Sequence, residues 1–168
     1  GEVAYAGEIR GKYRTSFRRA KYLWCAVKLK SPGVAKALFV IGLPRKDDIA
    51  LGVAIHRMIS ELQPIEFPRF RVHNDNEPAV VSFWLEEQLV RRNGRLWLGV
   101  PNRVSSNYFA ENVVKVIGEG VEVMLADGCM DARHYDSAAE LFVTLRNHAG
   151  GVLPRQNKVP IEDLPVFG

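Results

Sequence analysis

The sequence predicts an α/β (α+β) fold: antiparallel strand hairpins with helices packed on the sheet. Three observations lead there. Short runs rich in aromatic and aliphatic residues alternate with longer runs whose apolar residues recur at helical spacing. Gly, Pro and Asn signals such as Ser31-Pro32-Gly33 and Asn93-Gly94 separate them. A chain of 168 residues, 47% hydrophobic and 25% charged, has enough apolar material for one core without staples. Residues 1–149 are expected to form a single domain and 150–168 an extended C-terminal arm.

The elements follow in order. Residues 7–14 alternate loosely and predict a short edge strand. Residues 19–30 carry Tyr22, Leu23, Trp24, Val27 and Leu29 and predict a strand with interleaved lysines. After the Ser31-Pro32-Gly33 turn, residues 34–43 predict a second, more buried strand, completing a hairpin that Pro44 ends. Asp47 and Asp48 suit a helix N-terminus, and Ile49, Val53, Ile55, Met58, Ile59 and Leu62 continue at helical spacing to Gln63-Pro64. Residues 67–73 predict a strand, followed by an Asn- and Asp-rich loop. Residues 80–90 fit either a strand or a short helix beginning at Ser82. Asn93-Gly94 predicts a tight hairpin turn into a strand at 95–100. Ser105 or Ser106 caps a helix through Ile117, which Gly118 and Gly120 punctuate. Residues 121–125 predict a strand, and Asp136 caps a last helix to His148.

Two stretches look alike: Leu38-Phe-Val-Ile-Gly-Leu-Pro-Arg-Lys46 and Arg95-Leu-Trp-Leu-Gly-Val-Pro-Asn-Arg103. Each runs a strand into Gly-aliphatic-Pro, a basic residue and a helix. They suggest an internal β-β-(β)-α duplication over half-repeats 7–64 and 67–120, with a closing β-α. The segment from Ser82-Phe-Trp-Leu through Asn93–Arg103 to Val121-Glu-Val also resembles part of the N-terminal domain of bacterial replication initiators. That resemblance implies a fold like the K-homology domain and protein contacts. It spans roughly a quarter of the chain, and residues 67–78 interrupt the spacing that follows the family's first helix.

Charge is distributed unevenly. Residues 1–46 hold eleven Lys and Arg against two Glu, a net +9, whereas the rest of the chain carries −5 of the total +4. Such asymmetry points to a polyanionic partner. The basic residues interleave with aromatics: Tyr13, Phe17, Tyr22 and Trp24 lie among Arg10, Lys12, Arg14, Arg18, Arg19, Lys21, Lys28 and Lys30. On an open sheet the rings would stack bases while the cations neutralise phosphates. Arg45 and Lys46 at one strand–helix junction, and Arg103 at the other, are expected as supporting phosphate contacts. The expected function is therefore non-enzymatic binding of RNA or single-stranded DNA, within a larger complex. An adaptor subunit making protein contacts, or self-associating, is the alternative.

A third reading is a metal-dependent enzyme built on His73 and the Asp127, Asp131, His134 loop. However, the spacing matches no calcium loop and no HExxH. Neither GxGxxG nor GxxxxGK[ST] occurs, so no cofactor is expected. Cys25 and Cys129 lack zinc or CxxC spacing and are read as buried free thiols. His56 is read as a structural residue of its helix. No apolar run approaches the roughly 18 residues that cross a bilayer, and the first residues lack a signal pattern. An intracellular protein without a membrane partner is expected.

Overall fold

The computed structural model describes residues 3–29, 37–62, 69–74, 82–98 and 108–149. Within them a five-stranded mixed sheet carries four α-helices. The strands are β1 (Val3–Arg10), β2 (Tyr22–Leu29), β3 (Ala37–Leu43), β4 (Phe70–Asn74) and β5 (Gly94–Leu98), in the spatial order β3-β2-β1-β4-β5. The β1-β2-β3 meander is antiparallel, whereas β4 pairs parallel to β1 and β5 parallel to β4. The hairpin expected from the strand signals at 19–30 and 34–43 is β2-β3. Of the segment read as an edge strand, residues 7–10 belong to β1, which is the centre of the sheet because it pairs on both sides, and 11–14 follow it as loop.

Strand alternation sends side chains to two cores. On one face Tyr5, Ile9, Trp24, Phe39, Phe70 and Val72 meet helix α1 (Asp48–Leu62) and helix α2 (Phe83–Val90). α1 buries Ala50, Leu51, Ala54, Ile55, Met58 and Ile59; of the predicted stripe, Ile55, Met58 and Ile59 face the core and Leu62 packs partly buried against it, whereas Ile49 and Val53 are exposed. On the other face Ala6, Leu23, Cys25, Val27, Leu38 and Val40 meet α3 (Tyr108–Asp127) and α4 (Tyr135–Ala149).

The ambiguous run at 80–90 is helical. Ser82 accepts a hydrogen bond from the Leu85 amide at 3.0 Å, a cap that leaves Leu85 and Leu89 facing the core. Asn93-Gly94 does not close a hairpin: it joins α2 to β5, with Asn93 at φ 64° and its amide donating to the Val90 carbonyl. Gly94 packs directly against the Phe70 ring, where a Cβ would lie 2.0 Å from the nearest ring carbon. The predicted strand at 121–125 is helix, because α3 continues through both glycines to Asp127. That removes the closing β-α unit and the final strand of the replication-initiator resemblance. Asp136 lies inside α4 rather than capping it. Asp131 is the capping residue, accepting from the Arg133 amide at 2.8 Å ahead of a short 3-10 turn, Ala132–His134.

The strands that precede the two look-alike junctions have different settings. β3 follows β2 in an antiparallel hairpin at one sheet edge, whereas β5 follows a helix and runs parallel at the other. Of the cysteines, Cys25 is buried as expected, but Cys129 is exposed. Lys30, Arg103 and the arm at 150–168 lie outside the described residues.

Candidate nucleic-acid interface

Strand direction decides where the N-terminal cations gather. β1 ends at Arg10, β2 begins at Tyr22 and β3 ends at Leu43, so these termini share one end of the sheet. The carboxyl ends of β4 and β5 lie there too, since both run parallel to β1. The connection 11–21 therefore emerges where ligands of open α/β sheets usually bind. It is folded back on itself: the Tyr13 amide donates to the Lys21 carbonyl at 2.7 Å, and the Ser16 amide to the Ala20 carbonyl at 2.8 Å. The Lys21 amide continues to Leu43 at 2.9 Å.

α4 anchors this connection. The Ser16 hydroxyl donates to Asp136 Oδ2 at 3.0 Å and accepts from the Ala20 amide at 2.9 Å. The Tyr135 hydroxyl donates to the Ala20 carbonyl at 2.8 Å, and Arg133 Nε donates to the Thr15 carbonyl at 3.1 Å. Burial, reinforced by the neighbouring Asp136 charge, pushes the Tyr135 hydroxyl up to about 12. Phe17, half exposed, lies 4.7 Å from the His134 ring centroid and 4.4 Å from the Arg133 guanidinium. Tyr13 packs on Tyr135 at 5.1 Å.

The predicted site residues separate into three groups. Lys12, Arg14, Arg19 and Lys21 lie on the connection and make no ion pair among the described residues. Arg10, Arg18 and Arg45 share that end but are paired: Arg10 with Glu8 at 3.5 Å, Arg18 with Asp136 and Glu140, and Arg45 with Asp47 at 2.9 Å. Lys46 follows Arg45 there. Lys28 does not belong, since it lies toward the opposite end of β2 and donates to the Leu62 carbonyl at 3.3 Å.

The stacking assignment needs correction. Trp24 is wholly buried under α1, and its Nε1 donates to Asn74 Oδ1 at 3.1 Å. A strand crossing the sheet centre buries both faces, so a large ring there becomes core. Tyr22 packs against the same core. Of the four interleaved rings, Tyr13 and Phe17 are exposed. Arg133 was missed in sequence, because it lies over a hundred positions from the connection it anchors.

The residues read as metal candidates are not assembled into a centre. Asp131 caps a turn, His134 packs on Phe17, Asp127 ends α3, and His73 stacks on Trp97. No group of three or more His, Cys, Asp or Glu among the described residues could hold a metal ion. His56, expected to be a structural residue of its helix, is exposed on α1 and contacts Arg92.

No family model matches the chain, and no curated protein does. Solved structures do. A chain of the simian T-cell lymphotropic virus intasome, in complex with PP2A regulatory subunit B56 gamma, superposes with a TM-score of 0.68 at 16% identity. The match covers 98% of this chain and 59% of that one, so the present chain spans about three-fifths of its length. The catalytic core domain of BIV integrase superposes with a TM-score of 0.57, also at 16% identity, covering 86% of this chain and 82% of that one. At such identity the likeness establishes the fold: a mixed five-stranded sheet between two helical layers, built as in the BIV integrase core.

Proposed function

We propose that the protein binds nucleic acid through the 11–21 connection, as one component of a larger assembly. The carrying observation is the set Lys12, Arg14, Arg19 and Lys21, interleaved with exposed Tyr13 and Phe17 at the carboxyl end of the parallel strands. Unpaired cations release counterions when they neutralise phosphates, and exposed rings offer stacking surfaces. The integrase and intasome neighbours, sharing this fold, are consistent with such a partner. A protein partner is favoured by a separate surface. Phe83, Val53, Ile49 and Trp84 are exposed on α1 and α2, a concentration of apolar area typical of interaction faces.

The test is a titration of labelled single-stranded RNA and DNA at two salt concentrations, for the native chain and for Lys12→Ala/Arg14→Ala/Arg19→Ala. Removing three phosphate contacts is expected to weaken binding at least about tenfold and to flatten the log–log salt slope by about 2. Unchanged affinity and slope would sink the proposal.

Glu8 bears on catalysis. It is a buried carboxylate near the carboxyl end of the central strand, beside Arg10. The described residues offer it no metal-ligand set. A non-enzymatic protein should leave labelled oligonucleotides intact in Mg²⁺ or Mn²⁺. Cleavage abolished by Glu8→Gln would replace this function with a catalytic one.

A further inference from the structure

We infer that the face of β4 and β5 centred on Trp97 is a base-stacking site for single-stranded nucleic acid. The inference rests on the nucleic-acid reading above but uses a different surface. Register places Ala6, His73 and Trp97 in one row across β1, β4 and β5, with Arg71 and Arg95 paired in the next alternate row. Phe70, Val72 and Leu96 point to the α1–α2 core, so Arg71, His73, Arg95 and Trp97 all project from the opposite face. On that face α3 and α4 pack over β1, β2 and β3, while α2 covers β5 from the other side.

Among the described residues, these helices leave on that face an aromatic ring, Trp97, edged with cations. Trp97 is 49% exposed. The His73 ring stacks on it at 4.8 Å with an interplanar angle of 26°, and the Arg71 guanidinium lies 5.7 Å from its centroid. One side of the indole is thus held in a fixed orientation, and its exposed area is available to a flat partner. A nucleobase is the flat partner these neighbours suit: Trp offers the largest π-face of any side chain, and the Arg71 and Arg95 charges suit the flanking phosphates. The site is also continuous with the basic connection. Ala6 to Arg10 spans about 13 Å along β1, and β5 lies about 10 Å from β1 across the sheet. One strand of a few nucleotides reaches both.

The probes are labelled oligo(dT) and oligo(rU) of about 15 nucleotides, a blunt DNA duplex, and an abasic deoxyribose-phosphate strand of equal length. The variants are Trp97→Ala, Trp97→Phe and the triple connection variant. Trp97→Ala is expected to weaken oligo(dT) binding about 5- to 100-fold while leaving the salt slope unchanged, since no charge is lost. Trp97→Phe should restore most of the affinity, and duplex and abasic strand should not distinguish Trp97→Ala from the native chain. The relative loss on oligo(dT) and oligo(rU) reads the preferred strand. Oligo(dT) and oligo(rU) affinities within twofold of native for Trp97→Ala would overturn the inference, even if the connection variant abolishes binding. Loss in Trp97→Ala with no effect of the connection variant would keep this site and overturn the other. Equal loss on the abasic strand would overturn stacking as its basis.

Discussion

Trp24, Trp84 and Trp97 have the same side chain in three environments: 0%, 40% and 49% exposed. Trp24 sits on β2 between two strands and beneath α1, and its one polar atom is satisfied by Asn74. Trp97 lies on an edge strand facing away from α2. Burial also separates the cysteines. Cys25 is 2% exposed, and burial, with the Glu8 charge adding to it, pushes its thiol up to about 12. A protonated, enclosed thiol does not attack disulfides. A chromogenic disulfide reagent at neutral pH should therefore titrate one thiol, Cys129, in the native protein and both after denaturation. Rapid reaction of two thiols in the native state would contradict the placement of Cys25.

At the scale of elements, α3 shows how a glycine can be misleading. Gly118 and Gly120 both look like breaks, yet the helix runs through them. A Cβ at Gly118 would meet nothing within 4 Å, whereas one at Gly120 would lie 2.4 Å from the Phe142 ring of α4. Gly118 is thus a tolerated loss of helix propensity, and Gly120 is the point of close approach between α3 and α4. Gly118→Ala is expected to stabilise the protein by about 0.5–1 kcal/mol. Gly120→Ala should destabilise it by about 1–2 kcal/mol, as overpacking outweighs the propensity gain. Urea unfolding of both variants gives the comparison, and equal shifts of the same sign would refute it. The Ser82 cap makes the complementary point: one hydroxyl selected helix for a run whose Phe-Trp-Leu also suits a strand.

For the whole molecule, buried acidic protons set the alkaline limit. Cys25 and Tyr135 are each raised to about 12, and burial also raises Tyr5, whose hydroxyl finds no hydrogen-bond partner among the described residues. In the unfolded chain these groups titrate near 9 and 10. Above about pH 9 the unfolded state has released protons that the native state retains, so stability falls as pH rises toward 12. The urea midpoint is expected to be lower at about pH 10.5 than at about pH 7.5, and Tyr5→Phe should narrow the gap without weakening the fold at neutral pH. A gap unchanged by Tyr5→Phe would show that Tyr5 does not take part.

Local pattern sufficed for what local forces decide. The β2–β3 hairpin, the helical run of α1 and the approximate span of α4 are readable in sequence because turn signals and 3.6-residue periodicity act within a few positions. So was the charge excess of the first forty-six residues. Strand order, and with it the central place of β1, depended on pairing with a strand some sixty positions later. That Arg18 is paired was decided by Asp136 and Glu140, more than a hundred positions away. Which aromatics stay exposed was decided by the helices that cover each face. A sequence carries burial and ion pairing only through the fold, because both are properties of neighbours in space: the same ring becomes core under α1 and half-exposed on β5.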